Sequence, residues 1–423
     1  MESMDAWDVI VVGGGAAGLF AAAAAAQRGR RTLLLEKNRR AGIKILMSGG
    51  TRCNVTQATD VRGIVKAFGR QGPFLHSALA RLAPDAVVRL LAEQGVATKV
   101  EETGKIFPAS DSASDVLDAL LARLHQSGAT LALNEAVKDI LFEDGIFQLT
   151  TSRGVRQSRQ VIITTGGMSY PGCGTSGDGY RWLQTLGHTI VPPRPALTPI
   201  TTHETWVREL RGITLPDVAL TVMPKDSLAT TVGKSRRRSA LAADRGSMLL
   251  AHFGLTGPVV LNVSRVVSGH PQPAQLCVVC DLLPEDSDAR CEQWLDTLCR
   301  HEGKTQLVSL LARRLPRRIA EVLLVQTGMP DDRRGAECRR EERQRLVAAL
   351  KSTVIPVAGT MGFKKAEVTA GGVDLAEVDS RNMQSKLVPG LFLAGEVLDL
   401  DGPIGGYNFQ AAFSTGLLAG SST

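Results

Sequence analysis

Asp8-Val-Ile-Val-Val12 runs into Gly13-Gly-Gly-Ala-Ala-Gly18, then Leu19 through Gln27, then Arg31-Thr-Leu-Leu-Leu-Glu36. The order predicts a short buried strand, a glycine turn, an alanine-rich helix and a second buried strand. Alanine combines high helix propensity with a side chain small enough for close packing on a sheet. Gly13, Gly15 and Gly18 form G-x-G-x-x-G, a weak pattern alone, but here a strand precedes it, a helix follows, and Glu36 ends the second strand 21 residues after Gly15. The first glycine permits the tight turn and the second lets backbone approach a pyrophosphate. The third lets helix and strand pack closely, and the helix N-terminus offers N–H groups to the phosphates. Glu36 is placed to accept from ribose hydroxyls and would repel a 2′-phosphate, so the site should hold an adenosine without one.

Working outward, a second match, Gly172-Cys-Gly-Thr-Ser-Gly177, lacks an adjoining strand and a following acid, and reads as a loop of another kind. The chain has one dinucleotide fingerprint and no obvious separate NAD(P)H domain, and the features that follow favour FAD over NAD. Lys37 and Lys44 offer cations near the first site. The turn Ser48-Gly49-Gly50-Thr51-Arg52-Cys53-Asn54 offers N–H groups, a hydroxyl and an amide. Near the C-terminus, Ala394-Gly395-Glu396 follows a strand, and Gly402-Pro-Ile-Gly405-Gly406-Tyr407-Asn408 opens a helix whose N–H groups can meet negative charge on a flavin.

Between these ends, helices are expected over Pro84–Glu93 and Ser112–His125, a hairpin around Glu143-Asp-Gly145, and a buried strand at Val161–Thr165 that runs to Gly166. Four prolines in 192–199 suggest a linker or a domain edge. Residues 200–280 read as β-rich, 285–351 as helical and basic, and β character returns near 352–365. The expectation is an α/β protein: a Rossmann-type FAD-binding domain from both chain ends (1–191 and 356–423), an inserted β-rich domain (192–284) and a helical cap (285–351).

The 43% hydrophobic and 22% charged residues fit a globular chain and exclude disorder, collagen and coiled coil. No apolar stretch is long enough to span a bilayer, and the acidic N-terminus does not resemble a signal peptide, so a cytoplasmic protein is expected. Seven cysteines, an odd number, suggest free thiols. Cys277-Val-Val-Cys280 reads as a strand with its cysteines on opposite faces, and no metal site is expected. Between Arg300 and Lys351 thirteen Lys/Arg stand against seven Asp/Glu, and Lys234-Ser-Arg236-Arg237-Arg238 forms a separate run. A polyanion such as RNA is one reading, through Lys234, Arg236, Arg237, Arg313, Arg314, Arg317 and Arg318; solvated surface is the other.

Several strings carry a family resemblance: Gly13–Gly18, Lys44-Ile-Leu-Met-Ser-Gly-Gly-Thr-Arg-Cys-Asn54, Lys105-Ile-Phe-Pro-Ala-Ser110, Gly166-Gly-Met-Ser-Tyr-Pro171, His252-Phe-Gly-Leu-Thr-Gly-Pro258, Glu367-Val-Thr-Ala-Gly-Gly372 and Ala394 through Gln410. They resemble the BaiN/RdsA family of NAD(P)/FAD-dependent oxidoreductases over nearly the whole chain. Thr51 departs from the family, which usually has glycine there. The resemblance implies that Gly13, Ala17, Gly18, Glu36, Lys37, Lys44, Ser48, Asn54, Val137, Gly395, Glu396 and Asn408 contact FAD. It also implies reduction of activated C=C bonds, in rRNA uridine or in steroid-type enones, or oxidation of small amines, with NAD(P)H as transient reductant for the reductases.

Such a reduction needs hydride at one carbon and a proton at the other. Cys53 is a candidate donor, with a packing role as the alternative; His252 is another, with a core histidine as the alternative. Tyr407 and Tyr170 could donate or stack a base. Three functions stay open: an RNA uridine reductase, a small-molecule flavoenzyme, and a non-catalytic FAD-stabilised RNA-binding protein.

Overall fold

The chain folds as two compact units, Met1–Pro195 with Ala366–Thr423, and Ala196–Lys365. The computed structural model describes residues 6–228 and 239–423. Lys234, Arg236 and Arg237 lie outside the described residues.

In the first unit β1 (Trp7–Val12) pairs in parallel with β2 (Thr32–Leu35) on one side and with the strand Gly154–Ile163 on the other. Thr130–Ala132 extends the sheet beyond β2, and Leu391–Leu393 joins Gly154–Ile163 from the far end of the chain, both parallel. The hairpin Val137–Glu143/Ile146–Thr151 continues it antiparallel. Val9 to Val12 and Leu33 to Leu35 are all but fully buried. Strands covered on both faces read as continuous apolar runs rather than alternating ones. Strand order reverses at β1, and ligands of such sheets sit beyond the strands' carboxyl ends at that point.

Helix α1 (Ala16–Gln27) connects β1 to β2, with Ala21, Ala22, Ala23 and Ala25 fully buried. The C-terminal helix Tyr407–Ser421 lies along it so closely that a Cβ on Gly416 would stand 2.3 Å from the Ala17 carbonyl oxygen. The expected helices form at Pro84–Glu93 and Ala113–Gln126. Three short helices were not anticipated: α2 (Ile43–Met47), α3 (Val61–Ala67) and α4 (His76–Arg81). Gly63, Gly69, Gly72 and Pro73 interrupt any apolar periodicity there. The proline run does fall at a domain edge, the units dividing between Pro195 and Ala196, but it is not an open linker throughout. Ile190–Ala196 is a strand in a two-stranded sheet with Val368–Val373, where each proline's missing N–H is tolerated at an edge.

The second unit holds a seven-stranded sheet whose pairings are antiparallel, in the order Thr353–Pro356, Leu276–Asp281, Thr214–Pro224, Ala242–Ala251, Gly254–Thr256, Ile200–Thr201 and Gly359–Thr360. Helices Asp288–His301, Leu307–Leu311, Arg317–Gln326 and Arg340–Lys351 share one apolar core with that sheet, joining Val278, Leu295, Leu310, Leu323 and Leu346. Cys277 and Cys280 do face different apolar clusters across their strand, and all seven cysteines are buried free thiols. Among the described residues no helix is long and apolar enough to cross a membrane.

Candidate cofactor and active site

The three fingerprint glycines have distinct surroundings. Gly13, at φ +106°, lies so near β1's neighbour that a Cβ would stand 2.7 Å from the Thr164 carbonyl oxygen; on Gly18 a Cβ would meet the Gly13 carbonyl oxygen at 1.9 Å. A Cβ on Gly15 would meet nothing within 4 Å. That open space borders the free N–H groups that begin α1, whose first turn carries no acid. It is the cradle a pyrophosphate needs. Glu36, buried at the end of β2, accepts the Gly14 N–H (Oε2, 2.8 Å) and the Asn38 N–H (Oε1, 2.8 Å). Each oxygen keeps a lone pair for a ribose hydroxyl. Lys37 turns away to Asp178 (2.6 Å) and the Ser176 hydroxyl (2.8 Å). Asn38 Nδ2 donates to the Cys173 carbonyl (3.1 Å), so the second glycine-rich loop, 172–177, lines the same corner. An open cradle and a buried acid with a free lone pair on each oxygen fit the adenosine end of FAD.

A second cluster forms where α2 meets the chain's last hundred residues. Lys44 Nζ reaches Glu396 Oε2 (2.6 Å) and Ser169 Oγ (2.6 Å). Glu396 Oε1 accepts from the Ser169 hydroxyl (2.8 Å) and the Thr369 N–H (2.8 Å), and Thr369 Oγ1 accepts the N–H groups of Met168 and Ser169. Ser169 and Thr369 are fully buried, so this polar knot is fixed in place. Beside it Tyr170, held at φ +51°, donates to Glu367 Oε1 at 3.3 Å. Burial, and then the Glu367 charge, push the Tyr170 phenol up to about 12. Burial also raises Glu367, against the pull of Lys44 and Tyr170, so an uncharged carboxyl persists above its ordinary range.

The turn 48–54 bends through positive φ at Gly49, Gly50, Thr51 and Cys53. Ser48 Oγ closes α2 on the Ile45 carbonyl (2.7 Å). With its amide turned to satisfy its neighbours, Asn54 donates to the carbonyls of Thr56 and Ile106 and accepts the Gly406 N–H. Asn408 likewise grips its own loop, its Oδ1 accepting the Gly402 N–H (2.8 Å) and its Nδ2 donating to the Gly402 carbonyl (3.0 Å). Both amides therefore shape the loops rather than reach out from them. Gly405 and Gly406 adopt φ +130° and +87°, and a Cβ on Gly406 would stand 2.5 Å from the Thr56 carbonyl oxygen. Gly395 (φ +77°) faces Ala17, a Cβ there standing 2.8 Å from the alanine's own. Gly166 is left-handed as well (φ +72°), and Val137 is a half-buried strand start.

The donor candidates named from the sequence have surroundings of their own. Cys53 is fully buried in the apolar core with Val55 and Ile106, and its thiol is pushed up to about 12 by that burial, the Ser48 hydroxyl opposing. It packs. His252 belongs to the second unit, exposed in the turn before Gly254 and edge-on to Phe253 at 5.0 Å, so it is not a core histidine either. Tyr407 starts the C-terminal helix half-buried, its phenol raised by burial.

The family model described as the HI0933-like protein Rossmann domain matches residues 7–422. The chain belongs to the HI0933-like family. It is 34% identical over 390 residues to the ribosomal RNA dihydrouridine synthase of Escherichia coli strain K12, covering 90% of this chain and 89% of that protein. The protein of the same name from Haemophilus influenzae is 33% identical over 387 residues, 90% of this chain and 89% of that one. The 3-dehydro-bile acid delta(4,6)-reductase of Clostridium scindens is 29% identical over 392 residues, 91% of each chain. The class read from the motifs stands: a Rossmann-type FAD-binding oxidoreductase.

In this HI0933-like chain the four described arginines of the expected RNA surface, Arg313, Arg314, Arg317 and Arg318, have internal partners. Arg313 pairs with Glu302, Arg317 with Glu321 (3.1 Å), and Arg318 donates to the Glu209 carbonyl (2.6 Å). Arg314 pairs with Asp286 and covers the Trp294 ring at 5.1 Å. Sequence reading passed over Ser169, Thr369 and Glu367 as site residues. Each stands inside a string quoted for the resemblance, but short polar residues show their partners only once the fold closes.

Proposed function

We propose that this protein is an FAD-dependent reductase that converts uridine to dihydrouridine in large-subunit ribosomal RNA, with NAD(P)H as the reductant. The observation that carries the reading is the likeness, over nine-tenths of the chain, to two proteins named ribosomal RNA dihydrouridine synthase. The work would be done in the cytoplasm, where ribosomes assemble.

Gly13, Gly15, Gly18 and Glu36 would hold the adenosine and pyrophosphate. Lys44, Glu396 and the N–H groups that open the helix Tyr407–Ser421 would serve the other end of the cofactor. When bound, FAD supplies the hydride that adds to one carbon of the activated double bond. The other carbon takes a proton, and Tyr170 is the group we assign to deliver it. The phenol stays protonated to about pH 12, so it transfers its proton only to a developing carbanion. Glu367, 3.3 Å away and with a carboxyl raised by burial, accepts from the phenol and orients it, and the phenolate is reprotonated from solvent.

A second reading, a small-molecule enone reductase, rests on the likeness to the Clostridium scindens reductase and uses the same proton chemistry. Mass spectrometry of rRNA nucleosides with and without the gene separates the two. Loss of dihydrouridine on deletion, restored by the intact gene but not by Glu36→Arg, supports the RNA reading. Unchanged dihydrouridine overturns it and directs assays to conjugated enones.

A further inference from the structure

Residues 61–84 contain Arg62, Lys66, Arg70 and Arg81 and no acidic residue. Arg62 and Lys66 stand four residues apart on α3, one face of the helix, and Arg70 follows four residues on in the 3-10 turns Gly69–Leu75. All three side chains are exposed, and among the described residues none has a carboxylate within ion-pair distance. The nearest acid in sequence, Asp60, is turned to the start of α3, accepting the Gly63 N–H at 2.8 Å. This differs from the arginine doublets of 313–318, which pair within their own unit.

The stripe is tied to the candidate active site in the same unit. The Phe68 ring lies against Gly402, where a Cβ would stand 2.8 Å from the ring, and Gln71 Nε2 donates to the Asp399 carbonyl at 2.6 Å. Behind it, Leu82 just after α4 accepts from Gln410 and Ser414 of the C-terminal helix (2.7 and 2.8 Å). The cations thus stand on a rigid support beside the 399–406 loop.

We infer that Arg62, Lys66 and Arg70 form the surface that holds the phosphate backbone of the RNA substrate next to the cofactor loop. The inference rests on the RNA reading above and names the surface that reading requires. Exposed cations without acidic partners gain most from phosphates, because no internal pair has to be given up.

The test is binding of the FAD-loaded full chain to in-vitro-transcribed large-subunit rRNA, by filter retention across a KCl series. Each phosphate contact contributes about 0.7–0.9 to the slope of log affinity against log salt. The triple variant Arg62→Gln, Lys66→Gln, Arg70→Gln is expected to lower the slope by about 2 and weaken binding about 100-fold near 0.1 M salt. The double variant Arg313→Gln, Arg317→Gln is expected to shift the slope by less. An unchanged slope in the triple variant, or the larger loss in the double one, overturns the surface while leaving the RNA reading standing. Wild-type protein that shows no salt-dependent binding removes the reading and the surface together. If the triple variant loses its FAD, the single reversal Lys66→Glu is read instead, and it must weaken binding at least tenfold.

Discussion

Thr51 shows how one side chain can carry a local cost. It sits at φ +70°, between Gly50 at +68° and the return of the turn through Cys53. A β-branched residue in the left-handed region costs about 1–2 kcal/mol, and glycine's extra freedom in the unfolded chain takes back about 0.4–1 kcal/mol. Thr51→Gly, which restores the residue usual in the family, is therefore expected to stabilise the protein by about 0.5–1 kcal/mol, read as a higher denaturant midpoint at unchanged slope. Glu367 makes a second residue-scale case. Burial raises its pKa, so the folded state keeps a proton that the unfolded chain releases. Its carboxyl favours folding below the ordinary value of 4.5, and that contribution is lost as pH rises through the raised folded value. Glu367→Gln keeps an acceptor for Tyr170 and removes the charge, so the variant should gain in Tm over wild type more at about pH 8 than at about pH 4. A difference in Tm that does not change with pH would show that Glu367 does not titrate in this way. In single turnovers, Tyr170→Phe should slow product formation by about 100-fold or more while flavin reduction by NAD(P)H keeps its rate.

At the scale of elements, the strand–turn–helix was legible because each fingerprint glycine answers a different constraint. Gly13 and Gly18 are glycines because backbone oxygens occupy the space of a Cβ, whereas Gly15, at φ −85°, has room for one and is a glycine for the sake of what approaches it. Two substitutions separate these roles. Gly15→Ala should leave the apoprotein's stability within about 0.5 kcal/mol and weaken FAD binding by at least tenfold, measured by flavin fluorescence quenching. Gly18→Ala should unfold the β1–α1 corner, because the Gly13 oxygen would stand 1.9 Å from the new carbon. Equal flavin affinity in Gly15→Ala and wild type would remove the cradle. Other elements were hidden for physical reasons. The glycines and proline of 63–73 interrupt the periodicity of α3 and α4, and a proline run looks like a linker until the partner strand Val368–Val373 is in place. The basic doublets of 313–318 could be counted in the sequence, but whether a charge is free or paired depends on residues such as Glu302 and Asp286 that only folding brings near. Cys53 stayed open between donor and packing roles for the same reason: the turn was visible, but the direction of its thiol was not.

At the scale of the whole molecule, the unit expected to bind FAD is made from both ends of the chain. Leu391–Leu393 completes the parallel sheet beside Gly154–Ile163, and the C-terminal helix seals α1. The residues assigned to the two ends of FAD come from the same two segments, 13–54 and 395–408. Bound cofactor would therefore bridge chain ends separated by the whole inserted unit, a closure whose entropic cost grows only slowly with loop length. Ligand at 100 times its Kd stabilises the state that binds it by about 2.7 kcal/mol. If the two units open independently, that gain belongs to one of them. Hydrogen exchange with and without FAD should then show slower exchange in β1, α1, β2 and the helix Tyr407–Ser421, with little change across the strands Thr214–Pro224 and Leu276–Asp281. Equal slowing in both units would mean that they open together, and FAD would then stabilise the inserted unit as much as the one that holds it.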